Sequence, residues 1–234
     1  MSAISDAVVY LNDPLNWTKV NGILDLLVEH LTISVSALLA AVVIALPLAV
    51  WFGHTGRGGG FTVALSNVSR AVPTLALLTL FAVTPIGFGN RATAIALALF
   101  AIPPILTNTY VGFREVDRDI LEAARAMGMS GEQVVAKVEL PLAVPAIMTG
   151  IRTSAVQVVA TATLAALVGG GGLGDLINLG FGQQNDGLII AGAFLVALLA
   201  LLTELLLVLV TRLVTPAAGK AKLRRPRRVA AEPL

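Results

Sequence analysis

Few side chains in this 234-residue chain could make or break bonds. Cysteine is absent, which removes thiol nucleophiles, disulfides and cysteine-based metal sites. The two histidines, His30 and His54, stand far apart and outside any HExxH-like spacing. His30 borders an apolar stretch and reads as an interfacial side chain. Residues 169–174 satisfy the dinucleotide pattern GxGxxG, but they follow a long apolar segment where the fingerprint needs a strand of a soluble βαβ unit. The run reads instead as a flexible loop or re-entrant turn, Gly172 included, where glycine permits close backbone packing and movement. Asp175 and Asp186 flank it and could attract cations. No GxxxxGK[ST] occurs, so the chain has no phosphate-cradling loop of its own. These patterns point away from catalysis, a bound metal and a bound cofactor.

What remains is charge and aromaticity in apolar surroundings. Glu204 sits inside the last apolar stretch, where a charge costs about 2.5–3.5 kcal/mol unless paired or hydrated. Two readings stand for it: a pathway or helix-contact residue, or a protonated or hydrogen-bonded interior glutamate. Arg70 and Arg152 raise the same question, answered by snorkelling or by interior pairing. Tyr110, Phe81, Phe88 and Phe181 are the candidate cation–π partners.

The elements that must position these residues are membrane helices. The chain is 56% hydrophobic and 13% charged, with a mean hydropathy of +0.87, whereas soluble domains carry roughly a quarter charged residues. A bilayer core about 30 Å thick needs about 20 helical residues. Residues 31–52 and 92–113 each supply 22 uncharged ones. Three further spans tolerate one charge each: 61–83 with Arg70, 142–168 with Arg152, and 187–211 with Glu204. Five spans put the termini on opposite sides. The loop 53–60, the segment 114–141 and the C-terminal tail then share one side with 13 of the 16 basic residues. That side is expected to be cytoplasmic, which leaves the N-terminus outside. Residues 1–30 lack the basic start of a signal peptide and read as an extracytoplasmic segment with Trp17 at headgroup level. Residues 31–215 form the transmembrane domain, and 216–234 a basic cytoplasmic tail. The arginine cluster at 224–228 reads as topology information rather than as a nucleic-acid site.

Between the third and fourth spans the pattern changes. Residues 114–139 are densely charged yet keep an apolar helical face in Ile120, Leu121, Ala124 and Met127. Gly128 can end that helix in the left-handed conformation. Ser130 and Gln133 have capping-box spacing for a second helix, which Val134, Val135 and Val138 continue. Leu140-Pro141 is expected to end it, because the residue before proline is pushed out of helical geometry. The product is a helix–turn–helix elbow outside the bilayer; its length and helical turns suggest a docking element, and a solvated connector between spans is the other reading.

Here the residues carry a resemblance. Glu122-Ala123-Ala124, then Gly128, then Val138-Glu139-Leu140-Pro141 resembles the EAA motif of ABC importer permeases, departing only in Val138 for isoleucine. The resemblance implies an all-α polytopic membrane protein of the type I importer permease fold. In it the elbow is the helix that seats on a separate ATPase, so Glu122, Ala123, Ala124, Gly128, Val138, Leu140 and Pro141 act in coupling. From residue 71 to 175 the chain is similar to permeases of osmoprotectant importers for glycine betaine, choline or carnitine. The stretches 104–110 and 150–153, and Thr161 to Ala166, carry that likeness; the glycine-rich stretch is shared with methionine-importer permeases. The resemblance implies two ATPase subunits holding ATP and magnesium, a second permease subunit, identical or paralogous, and an extracytoplasmic binding protein. It also implies residence in the bacterial plasma (inner) membrane. Tyr110, Thr161, Thr163, Gly172, Asp175 and Glu204 are the candidate pathway or gating residues. A different reading is an ion-coupled secondary transporter using Glu204; against it, no internal repeat is visible.

Overall fold

The computed structural model describes residues 2–215, apart from the side chain of Arg70; the basic tail 216–234 lies outside the described residues. Among the described residues every regular element is helical. Two short helices, α1 (Ala3–Asn12) and α2 (Pro14–Thr18), precede the long α3 (Ile23–Thr55). Next come α4 (Gly59–Ala71), α5 (Thr74–Ala82) and α6 (Asn90–Arg114). The elbow is α7 (Arg118–Ala126) and α8 (Gly131–Val134), which runs through a π-helical segment (Val135–Glu139) into α9 (Leu140–Thr161). A 3₁₀ segment (Ala162–Val168), α10 (Gly174–Gln183) and α11 (Asp186–Val214) complete the order.

The central packing follows from small residues. On α3, Ala37, Ala41, Ala45 and Ala49 recur every fourth position and are fully buried, forming a flat ridge that ends at Gly53. With lipid as solvent, helices associate by close packing rather than by hydrophobic burial, so such a ridge lets backbones approach. It meets Leu97, Ala101 and Ile105 of α6 in one cluster with Val158 of α9. At Gly53 an added Cβ would sit 2.5 Å from Phe113 Cβ. Gly150 of α9 is as tight, 2.9 Å from the Pro104 carbonyl, and Ser154 Oγ donates to the Ala101 carbonyl at 2.8 Å. A second cluster gathers Ile23, Leu26, Leu173, Leu176 and Leu188 at the other end of α3.

Among the described residues four helical stretches are long and apolar enough to cross a membrane: Ile23–Thr55, Asn90–Arg114, Gly131–Val168 and Asp186–Val214. The expected span at 61–83 is not straight. It is a helix pair bent by 84° between Ser69 and Thr74, and only as one broken span does it bring the count to five. Pro73 causes the break by holding Val72 extended, at φ −83° and ψ 119°. The helix that carries the first span begins at Ile23, ahead of the apolar run at 31–52, so Glu29 and His30 belong to the same helix. Residues 1–30 hold two short helices and the start of α3. Helix α1 packs on α11, with Asp6 against Gly187, and the Trp17 indole N–H donates to the Leu11 carbonyl at 2.8 Å.

Candidate functional site

The elbow forms as its local chemistry dictates. Asp117 caps α7, accepting the Asp119 N–H at 3.0 Å. At its far end Gly128 has φ +83°; its N–H donates to Arg125 O at 2.9 Å while Met129 N–H donates to Ala124 O at 3.2 Å. This pairing is a Schellman motif. Ser130 and Gln133 make both bonds of the capping box, at 3.3 and 2.9 Å. Ala124 and Val134 are buried, whereas Glu122, Ala123, Gly128, Ile120 and Met127 are exposed.

Leu140-Pro141 does not end the helix. The chain runs helically from Gly131 to Val168, with Leu140 at φ −60° and ψ −50°. The π segment explains this: Leu140 N–H bonds to Val135 O, five residues back, so the ladder shifts register where Pro141 lacks its donor. The same segment turns Glu139 inward, where it is 3% exposed. His54 Nδ1 donates to Glu139 Oε2 at 2.6 Å, tying the end of α3 to the elbow. A cavity of about 310 Å³ opens beside this pair, with Arg114, Arg118, Glu122 and Arg125 at its wall.

Between α4, α5, α6 and α9 lies a larger cavity of about 550 Å³. Its polar wall is Ser66, Ser69, Thr74, Thr107, Asn108, Thr153 and Gln157, and its ring is Phe100. None of the described lining residues is charged. Thr107 Oγ1 donates to Ser66 Oγ at 3.4 Å, and Asn108 Nδ2 to the Pro104 carbonyl at 2.8 Å. Sequence reading missed these residues as a set. The available signal was polar pairs at helical spacing in apolar spans: Ser66 with Ser69, and Thr153 with Gln157.

The residues expected along a pathway scatter. The space of the absent Cβ of Gly59 meets the Tyr110 hydroxyl, at the elbow end of α6. Thr161 Oγ1 donates to the Gln157 carbonyl at 2.6 Å and Thr163 Oγ1 to Ala160 O at 2.8 Å, so both hydroxyl protons are used locally. Phe88 and Phe181 are exposed, and Phe81 packs near Leu78. Glu204 Oε1 lies 3.3 Å from Arg152 Nε, so the two charges inside spans compensate each other. Arg70's side chain lies outside the described residues.

At the opposite end from the elbow, the glycine run is held rather than loose. Gly171 N–H donates to Asn90 Oδ1 at 2.9 Å, Gly172 N–H to Glu29 Oε2 at 3.1 Å, and Leu173 N–H to His30 Nδ1 at 3.3 Å. His30 is fully buried, not interfacial, and its Nε2 donates to the Val159 carbonyl at 2.9 Å. The glycines answer close approach: Gly172 has φ +97°, and a Cβ on Gly171 would fall on the Glu29 carboxylate. Asp175 opens α10 beside them; burial, then the Glu29 carboxylate, push its carboxyl above the ordinary value. Among the described residues no cluster of three or more histidines and carboxylates is placed to hold a metal.

Comparison with known proteins places this geometry. The family described as "Binding-protein-dependent transport system inner membrane component" matches residues 20–218. The choline transport system permease protein OpuBB of Bacillus subtilis is 40% identical over 189 residues, 81% of this chain and 87% of that protein. The glycine betaine/carnitine/choline transport system permease protein OpuCB of the same organism is 37% identical, covering 88% of this chain and 95% of that protein. The carnitine transport permease protein OpuCB of Listeria monocytogenes is 40% identical, covering 81% and 87%. A solved inward-facing structure of the MetNI methionine ABC transporter superposes with a TM-score of 0.71 and 26% identity, covering 88% of this chain and all of that one. The chain belongs to the binding-protein-dependent transport system inner membrane components, and is a permease subunit of an ABC importer with the type I fold.

Proposed function

We propose that this permease translocates small quaternary-ammonium osmoprotectants of the choline, glycine betaine and carnitine class. The observation that carries the reading is 37–40% identity, over more than four-fifths of the chain, to permeases named for those solutes. The 550 Å³ cavity supports it, because its described wall sets hydroxyl and amide groups beside the Phe100 ring and the apolar Val72, Pro73, Pro103 and Pro104. Such a wall can solvate a permanent cation or zwitterion without a counter-charge that would trap it.

An ATPase subunit docks on the 114–141 elbow, a second one serves the other permease of the membrane pair, and the two supply ATP hydrolysis; this chain supplies no catalytic residue and binds no cofactor. The exposed apolar side chains Ile120 and Met127 support that docking, since a single chain leaves them uncovered. A second permease completes the membrane unit, and an extracytoplasmic binding protein delivers solute to the end bearing Glu29 and residues 169–174. The distribution of basic residues supports a cytoplasmic elbow and an N-terminus outside. In domain terms, 1–30 is extracytoplasmic, 31–215 is the transmembrane permease, and 216–234 is a cytoplasmic tail. The ion-coupled alternative loses its one acidic site, because Glu204 is engaged by Arg152.

The test is uptake of labelled choline, glycine betaine, carnitine and methionine by proteoliposomes holding the full transporter with its binding protein. ATP-dependent uptake of a quaternary amine, insensitive to protonophore, is expected. Methionine uptake alone, or uptake that survives without ATP and collapses with the proton gradient, would overturn the reading.

A further inference from the structure

Three successive backbone N–H groups, those of Gly171, Gly172 and Leu173, donate to three side chains from two other elements. Glu29 and His30 lie near the start of α3, and Asn90 opens α6. The three side chains also set one another's roles. Asn90 Nδ2 donates to Glu29 Oε1 at 2.6 Å, which turns Asn90 Oδ1 towards Gly171 N–H. His30 donates from Nε2 to Val159 O, so its Nδ1 is the acceptor for Leu173 N–H. The bonds of the set thus fit one another's donor and acceptor roles.

Burial divides the set into a fixed and a releasable half. His30 is fully buried and anchors the loop to α3 and α9. Glu29 is half-buried and Asn90 is exposed, so water can take over their bonds when the elements part. The same helix α3 carries His54 at its other end, bonded to Glu139 of the elbow. An alternating-access path needs its two ends to open in turn, and α3 joins a bond set at each end. We propose that Glu29 and Asn90 are positioning residues of an outer latch, which clamps residues 171–173 and keeps the external end of the path shut until the elbow moves. This rests on the orientation and importer mechanism proposed above.

The absence of cysteine permits a clean test. A single Ser69→Cys, in the cavity wall, reports access from outside to a membrane-impermeant maleimide in the full transporter with its ATPase and binding protein. The parent should label slowly, and faster with ATP and loaded binding protein. Glu29→Gln leaves two amide N–H groups facing each other at Asn90, and Asn90→Asp leaves two carboxylates. Each single variant should raise resting labelling on the order of tenfold, the worth of one charge-assisted bond. Each should also raise ATPase turnover without binding protein. The double exchange E29Q/N90D restores the match, since the amide introduced on α3 would donate to the carboxylate introduced on α6 while both still accept from the loop. It should return both readouts to parental values. Unchanged labelling in the single variants, or failure of the double exchange to rescue, would overturn the latch. A parent that does not respond to ATP and loaded binding protein would overturn the importer reading beneath it.

Discussion

Gly128 offers the sharpest test of how the elbow works. Its φ of +83° is one that a residue with a Cβ adopts at a cost of roughly 1–2 kcal/mol. No atom lies within 4 Å of where that Cβ would sit, so no steric penalty inside this chain adds to the backbone one. Gly128→Ala should therefore shift the elbow from its docked shape by the backbone term alone, roughly 5–30-fold. Asparagine tolerates the left-handed region, and Gly128→Asn should stay within about threefold of the parent. Gly128→Val, β-branched, should be the worst. The assay is the concentration of ATPase subunit needed for half-maximal transport by reconstituted permease, with permease insertion and yield measured alongside. The expected order is Gly, Asn, Ala, Val. If Asn impairs coupling more than Ala, damage follows side-chain size. The position would then be one of close approach to the ATPase, and the conformational argument would be wrong.

Other expectations follow from the polar contacts. His54→Ala leaves the buried Glu139 without its donor and should cost about 1–3 kcal/mol, read as a lowered melting temperature. The double variant H54A/E139L should recover most of that loss, and failure to recover would show that the pair is not the source. Arg152→Ala strands Glu204 in a span and should lower yield and uptake, whereas the exchange R152E/E204R should restore ATP-driven uptake. No rescue would mean that the two side chains act separately. Asp175 has a raised pKa, so its charged form is the one the fold disfavours. The destabilisation it brings is absent below the ordinary value of 3.8 and develops as pH rises through and above it. Asp175→Asn should melt higher than the parent at pH 7, with the gap narrowing as pH falls towards 4; a gap that widens on acidification would contradict the assignment.

Much of the molecule was legible because the relevant physics is local. Hydropathy over about 20 residues identifies a span whatever it packs against. The elbow follows from a glycine after α7 and a Ser130–Gln133 capping box, both complete within a few residues. The coupling role we propose for Glu122 to Pro141 came from the resemblance of that motif to a family pattern rather than from local physics. The same proline rule had opposite outcomes at two sites: at Pro73 it broke the span expected at 61–83, while Pro141 failed to end a helix because the π segment ahead of it had already shifted the ladder.

What only the tertiary structure decided is the pairing of isolated polar groups. His54 and Glu139 are 85 residues apart, His30 and Leu173 are 143 apart, and no periodicity links them. A hydropathy profile counts Glu204 as a lone charge, but its cost depends on whether Arg152 stands on the facing helix. The cavity is likewise a property of four elements, since Ser66, Asn108 and Gln157 are ordinary in their own spans and form a wall only once α4, α6 and α9 are packed. The chain determines which segments enter the membrane, because transfer from water is additive along the helix. Which polar atoms find partners there is set by helix rotation and contact, and those exist only in the folded bundle.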